Sequence, residues 1–591
     1  EQHPRGPRPP APSTMLPRSA GLRRAAGGLL PRGAGRRALS MGGSRWDESG
    51  RWEDSPEQGG GHMGEAHSYL LRESFGEYFK VPNPSGLMTK IICTAGPATS
   101  SKQKLGEMLD AGMSAVRLNA SHGQYDFFET VIRNVREAAE LRRRICPVIL
   151  DTKGPEVRVQ REIEGGKITL NSGDMFTFFS GKDTSRVGNQ EGVWTTFDRL
   201  AETVSTGDVI LVDDGRLSFM TREIDPATGD VLCQVIMGGD LVGNKGVNLP
   251  GCSVDLPHLT AKDKEDIAFA VDQKVEYIAH SFTRSAAGIT AVREIPGVVE
   301  NGIHVIAKIE SQEALENIRG ILKVSDGIMV ARGDLGVEIP LERVCSVQKK
   351  LIRECNVAGK FVITATEMLD SMINSPRPTR AEASDVANAV FDGTDCVMLS
   401  GETAVGRYPI ATIQVMNRIC KEAELDVSQH KRLLHIEEEE EERRRVKSTT
   451  KTELGEAFSM AAVATAGDIN ASLIIAVTKS GETARLLSKH FPRVPILALS
   501  LSPKVCGQVS LYRGVIPYLV NSLDRASCVP RGIAKATELG LVSHGSRVVL
   551  VTGHDDLVAN RLESFVVGAS VPELSIIPGQ KYAPGSSFQA P

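Results

Sequence analysis

In the run HVIAKIE at 304–310, Lys308 and Glu310 stand two residues apart, so on a β-strand they share one face. GIMVARGDLG follows at 327–336, with Asp334 at the end of that next run. Two carboxylates on neighbouring strand ends suit an octahedral Mg²⁺ that keeps several waters and takes substrate oxygens. A lysine beside them supplies fixed positive charge, which is what transfer of an anionic group needs from a protein. A salt-bridged core pair would place Lys308 and Glu310 equally well; their company favours chemistry. The turn Arg332 to Gly336 opens a short helix, whose free N–H groups and positive dipole end bind a carboxylate. Asn119, Ser121, Asp151 and Thr152 add neutral and anionic oxygens at two adjacent strand ends. That is ligation for a hard cation.

Eight β-rich runs must position these residues. They are KIICTAG (90–96), SAVRLNAS (114–121), CPVILDTKG (146–154), EYIAHSF (276–282), HVIAKIE, GIMVARGDLG, FVITATEML (361–369) and CVMLSGET (396–403). Near-continuous apolar strands alternating with helical patterns predict a parallel sheet covered on both faces. Eight such units predict an α/β fold, a closed (β/α)8 TIM barrel, in residues 85–155 and 257–427. Together these approach the ~250 residues that such barrels use. The candidate residues all lie at carboxyl ends of strands, where barrels of this kind carry their sites.

The gap at 156–256 is too long for a loop. Its own strands, in MFTFF (175–179), DVILVDDGRLSF (208–219) and VLCQVIM (231–237), predict an inserted small β-barrel lid domain. Gly154-Pro155 and Leu249-Pro250-Gly251 are its expected hinges. Residues 451–575 hold strands at 472–478, 495–500, 515–520 and 547–553 between helical patterns, which predicts a carboxyl-terminal α/β domain. Between the domains, at 428–450, six glutamates (Glu437 to Glu442) precede three arginines, the pattern of a solvated charged linker or helix face.

A helical segment is expected at 63–84, a disordered or targeting segment at 1–62 and a tail at 576–591. Residues 1–46 contain nine Arg, no Lys and one acidic residue, a composition shared by organelle presequences and disordered tails. Met41 is a second possible start. The expected location is cytoplasmic, or mitochondrial or plastid if the arginine-rich stretch is an address.

Composition narrows the function classes. The 591 residues carry 69 basic and 73 acidic side chains, a net charge of −4, with no polybasic footprint for nucleic acid. No apolar stretch reaches the ~18–20 residues that span a bilayer. Ten cysteines without a CxxC pair match neither a disulfide scaffold nor a zinc site. No Gly-Lys pair is followed by Ser or Thr, so the phosphate loop of Walker type is absent.

In order, TKIICTAGPATSS (89–101), RLNASHG (117–123), LDTKGPEVR (150–158), NKGVNLPG (244–251), IAKIES (306–311), MVARGDLGVEIP (329–340), TATEMLDSMINSPRPTRAE (364–382) and MLSGETAVGRYP (398–409) resemble the pyruvate kinases. The resemblance runs from about residue 85 to 570. It implies phosphoryl transfer from phosphoenolpyruvate to ADP, a barrel with an inserted lid, a carboxyl-terminal regulatory domain and a homotetramer. It assigns Mg²⁺ (or Mn²⁺) to Glu310 and Asp334, and Lys308 to the migrating phosphoryl group. The amides around Gly333 and Asp334, with the Thr366 hydroxyl, would hold the substrate carboxylate. Thr366 would also sit beside the carbon to be protonated, through hydroxyls and water that include Ser400 and Glu402. Arg117 would contact phosphates, with His122, Arg158 and Lys245 serving the nucleotide, and K⁺ would lie at Asn119, Ser121, Asp151 and Thr152.

The chain departs from the family pattern at Glu367, where Gln is common, and at Ala120, where Phe is common. Thr478 to Thr483 resemble a phosphate-cradling effector loop. Activation by fructose 1,6-bisphosphate is nonetheless not expected, because TGHDDLVANRLES at 552–564 lacks the family's Gly-rich loop and every Trp lies far upstream. A sugar monophosphate effector, or none, is expected instead. Two alternatives stand beside this reading: a Mg²⁺-dependent barrel lyase or aldolase, and a non-catalytic effector-binding relative, which would have lost Lys308, Glu310 or Asp334.

Overall fold

A computed structural model of the chain describes residues 87–179, 187–425, 454–553 and 559–568. The segments expected at 1–62, 63–84, 428–450 and 576–591 lie outside the described residues. Three strands open the fold: β1 (Lys90–Thr94), β2 (Ala115–Asn119) and β3 (Val148–Asp151). An inserted domain follows with β4 (Lys167–Leu170), β5 (Met175–Phe179), β6 (Gly192–Trp194), β7 (Val209–Val212), β8 (Leu217–Ile224), β9 (Val231–Met237), β10 (Gly239–Val242) and β11 (Val247–Asn248). The chain returns as β12 (Tyr277–His280), β13 (His304–Ile309), β14 (Gly327–Ala331), β15 (Phe361–Ala365) and β16 (Cys396–Leu399). β1–β3 and β12–β16 close in the order β1-β16-β15-β14-β13-β12-β3-β2. All eight expected runs are therefore strands of one barrel.

Strand alternation decides which side chains reach the mouth. On β13, Val305, Ala307 and Ile309 pack outward with the surrounding helices, while Ile306 packs inside the barrel. Lys308 shares the parity of Ile306. By the same rule Ile149 directs Asp151 inward on β3, Ala115 directs Arg117 and Asn119 on β2, and Ala279 directs Ser281 beyond β12. A polar layer thus caps an apolar interior.

The inserted domain holds a six-stranded sheet, β11-β7-β8-β9-β5-β6, and the pair β10-β4. Its two edges are joined through the entering chain. Val159 N–H donates to Lys245 O at 2.8 Å, and Gln160 N–H to Trp194 O at 3.0 Å. The small barrel is therefore closed by an irregular segment, Val157 to Gln160, that sequence alternation did not mark. DVILVDDGRLSF is a hairpin rather than one strand, turning at Asp213 and Asp214 with positive φ.

In the carboxyl-terminal domain β17 (Leu473–Val477), β18 (Ile496–Ser500), β19 (Val515–Leu519) and β20 (Arg547–Gly553) are parallel, in the order β19-β18-β17-β20. A fifth strand, β21 (Ala559–Val566), runs antiparallel on the β20 edge. The sequence marks no strand there, because an edge strand with polar alternation carries little apolar signal. This domain packs on the amino ends of the barrel strands, away from the mouth. Lys90 Nζ donates to Val515 O at 2.8 Å, and Arg513 N–H to Asp395 Oδ1 at 2.9 Å. All ten cysteines are free, and among the described residues no helix is long and apolar enough to cross a membrane.

Candidate active site

Asp151 is the hub of the barrel mouth. Its Oδ2 accepts from Arg117 Nε at 2.7 Å, and its Oδ1 lies 3.2 Å from Lys308 Nζ and accepts from the Ser281 hydroxyl at 3.1 Å. Lys308 also donates to Ser281 Oγ at 2.7 Å and lies 2.8 Å from Glu310 Oε1. Arg117 donates further to Thr94 Oγ1 at 3.0 Å. Burial by itself would raise the Asp151 carboxyl, but the charges of Lys308 and Arg117 outweigh it and hold the group below the usual range. Burial also favours loss of the Lys308 proton. Asp151, Glu310 and Asp334 overcome that and keep the ammonium well above its ordinary value. Lys308 is therefore charged across the physiological range.

Glu310 and Asp334 behave in the opposite way. Burial raises both carboxyls, and Asp334 adds to the rise at Glu310. The Phe282 N–H donates to Glu310 Oε2, from a backbone held at φ 52°. Glu310 Oε1 has no hydrogen-bond partner and meets Lys308 only as an ion pair. A buried carboxylate, Glu310, and a half-buried one, Asp334, with too few donors make a donor set that a divalent cation satisfies. Among the described residues no group of three or more His, Cys, Asp and Glu gathers as a metal cluster. A pair of carboxylates fits Mg²⁺, which retains waters, better than it fits zinc.

Asp334 lies in the first turn of a short helix, Arg332–Glu338. Gly333 there is favoured by proximity, since a Cβ would stand 3.0 Å from Thr366 Cγ2. Thr366 and Glu367 have φ of 73° and 52°, strained for side chains of this kind. Arg332, which the sequence reading left without a role, holds that turn: its NH2 donates to Thr366 O at 2.7 Å and its Nε to Ala365 O at 3.2 Å. Asp385 and Gln348 anchor the same guanidinium at 2.7 Å and 3.2 Å. Glu402 accepts from Ser400 N–H at 2.7 Å and Leu369 N–H at 3.1 Å, and burial raises its carboxyl. It ties two mouth loops together. The Thr-Arg-Ala-Glu stretch at 379–382 is a capping box for the helix Arg380–Asp392, so that part of the motif is structural.

The four oxygen-bearing residues proposed for a monovalent cation are partly brought together. Asn119 and Asp151 are register partners on β2 and β3. Asn119 Oδ1 accepts from Ser121 N–H at 3.1 Å, and Thr152 Oγ1 accepts from Ser281 N–H at 3.2 Å. Asp151 additionally carries Lys308 and Arg117, a duty that spacing alone did not show.

A cavity of about 560 Å³ opens between barrel and inserted domain, lined among others by His122, Arg158, Lys245, Glu310 and Asp334. The two lid cations are held by lid carboxylates. Arg158 Nε donates to Glu156 Oε2 at 2.7 Å, and Lys245 Nζ lies 2.7 Å from Asp213 Oδ1. Ser281 and Phe282 also went unassigned in the sequence, although strand parity within EYIAHSF would have pointed to Ser281.

A family model described as pyruvate kinase, barrel domain, matches residues 87–413, and one described as pyruvate kinase, alpha/beta domain, matches residues 456–562. A pyruvate kinase of Dictyostelium discoideum is 42% identical over 504 residues, covering 84% of this chain and 97% of that protein. One from Eimeria tenella is 45% identical over 490 residues, with 81% and 89% covered. A crystal structure of a pyruvate kinase from Cryptosporidium parvum matches with a TM-score of 0.75 at 38% identity, covering 82% of this chain and 97% of that one.

Proposed function

Because the chain belongs to the pyruvate kinase family and is a phosphotransferase acting on phosphoenolpyruvate and ADP, we propose that the barrel-mouth cluster divides that reaction among its residues. Lys308 and Arg117 neutralise the migrating phosphoryl group, whose transfer depends on positioning and charge rather than covalent help. Glu310 and Asp334 hold Mg²⁺ or Mn²⁺, which when bound supplies further charge neutralisation at phosphoryl oxygens. The N–H groups of Gly333 and Asp334 and the Thr366 hydroxyl receive the substrate carboxylate. Thr366 faces the carbon that gains a proton.

The observation that supports this reading most is the convergence of two cations on one buried carboxylate, Asp151, beside the crowded Glu310–Asp334 pair. On the lid, Arg158 and Lys245 exchange Glu156 and Asp213 for the phosphates of ADP, with His122 at the same cavity wall. Asn119, Ser121, Asp151 and Thr152 take K⁺. The loop at Thr478 to Thr483 receives a sugar monophosphate if an effector exists, with assembly as a homotetramer. In that loop Gly481 N–H already donates to Thr478 Oγ1 at 2.9 Å, so one of its amides is engaged before any ligand arrives.

The test is a coupled assay of pyruvate formation from phosphoenolpyruvate, with ADP, the divalent cation and K⁺ each omitted in turn. Loss of turnover on each omission is expected. Undiminished turnover without a divalent cation would remove Glu310 and Asp334 from the assignment.

A further inference from the structure

The inserted domain leaves the barrel at Gly154, and its return path ends at Thr260. Both points are gripped by one side chain. Asp263 Oδ1 accepts from Gly154 N–H at 2.8 Å, while Oδ2 accepts from Thr260 N–H at 2.9 Å and from the Thr260 hydroxyl at 2.7 Å. We infer that Asp263 is a positioning residue for the reaction, a clasp that joins the two hinge segments and fixes the pivot of the lid over the site.

The Thr260–Asp263 pair is a capping box for the helix Ala261–Asp272, and such a box is complete without a third segment. Here one carboxylate oxygen is left over and spent across the hinge. Asp263 is fully buried, so its acceptors have no water to fall back on. Gly154 has φ +74°, and a Cβ there would meet Phe282 Cδ2 at 2.7 Å and Ser281 Cβ at 2.8 Å. The hinge glycine thus rests on the two residues that hold the chemistry: Ser281 takes the Lys308 ammonium, and Phe282 donates to Glu310. On the return path the Arg284 guanidinium donates to Val254 O and Leu256 O, a second fastening from the barrel. Arg158, two strand positions past Glu156, swings about this pivot. A shift at Gly154 is carried directly to the nucleotide side of the cavity.

An asparagine at 263 keeps the shape but replaces one acceptor with an N–H donor. It can serve Thr260 or Gly154, not both. This inference rests on the reading of the inserted domain as the cover of the nucleotide. The experiment compares the full chain with Asp263→Asn, measuring kcat, KM for each substrate, and amide hydrogen exchange at 152–160 and 244–254 with and without Mg·ADP. Loss of a hinge constraint is expected to raise KM for ADP about five- to twenty-fold and KM for phosphoenolpyruvate less than about twofold. Exchange at Gly154 should quicken, and the protection of 244–254 by Mg·ADP should weaken.

Unchanged KM for ADP, or a fall in kcat alone in step with the thermal midpoint, would overturn the clasp. If the unmodified chain gains no protection at 244–254 from Mg·ADP, the cover reading itself fails and takes the clasp with it. Should Asp263→Asn not fold, Thr260→Val removes the hydroxyl's contact to Asp263 Oδ2 together with its cap on the Asp263 N–H and leaves the Gly154 contact; a rise of about two- to threefold in KM for ADP is then expected, and none would overturn the proposal.

Discussion

Asp151 Oδ1 lies 3.2 Å from Lys308 Nζ, with the Asp151 carboxylate taking the Arg117 guanidinium on its other oxygen at 2.7 Å. The three come from β3, β13 and β2. The pairing keeps Lys308 protonated, so its charge is in place before substrate arrives. Preorganisation of this kind avoids reorganisation during the reaction.

Lys308→Met should therefore abolish turnover while leaving the barrel folded. Loss of one preorganised cation costs about 10²–10⁵ in rate at phosphoryl-transfer and oxyanion sites. The checks are kcat and far-UV circular dichroism on the same sample. A variant with most of its turnover would take Lys308 out of the mechanism.

Gly333→Ala probes the carboxylate subsite. The new Cβ would press on Thr366 Cγ2 at 3.0 Å, and Thr366 cannot yield freely because Arg332 holds its carbonyl at 2.7 Å. KM for phosphoenolpyruvate should rise about tenfold, with KM for ADP little altered, since small displacements at a positioning site are costly. Equal effects on both constants would place the subsite elsewhere.

The monovalent cation gives a third expectation. By the resemblance to the pyruvate kinases, members that work without K⁺ have Lys where this chain has Glu156 and tend to have an aliphatic residue where Thr152 stands. Here Glu156 also holds Arg158 through an ion pair. Activation by K⁺ over Na⁺ or Li⁺ should be about tenfold or more, and Glu156→Lys with Thr152→Leu should remove most of it. Full activity of the unmodified chain in buffer containing only large organic cations would refute the cation site.

At the opposite end of the barrel, stability should depend on pH through Lys90. Burial, with Arg513 adding, brings its ammonium down to about 8 from an ordinary 10.5. Between these values the unfolded chain binds the proton that the native one has shed, so this group's contribution to stability rises with pH across the window and is flat outside it. Denaturant titrations of wild type and Lys90→Met from pH 7.5 to 10.5 should differ by an amount that shifts in the wild type's favour, on the order of 3 kcal/mol. A constant difference would mean that Lys90 titrates normally in its contact with the Val515 carbonyl.

Much of this protein was determined by the sequence alone. Eight apolar runs separated by helical patterns specify parallel strands, and parity within HVIAKIE and CPVILDTKG aims Lys308 and Asp151 into the barrel, because successive side chains of a strand point to opposite faces. What needed the tertiary structure were pairings between distant segments. No local pattern announces that Asp151 serves Lys308 and Arg117 together, that Arg332 braces Thr366, or that Asp263 grips Gly154. The closure of the lid through Val157 to Gln160 and the edge strand β21 were hidden for a related reason: short or edge pairings are held by backbone hydrogen bonds, which carry no side-chain signature. Periodicity reports the face on which a residue lies. Only closure of the barrel and its hinge decides which residue stands opposite, since loops of any sequence can bring two such faces together.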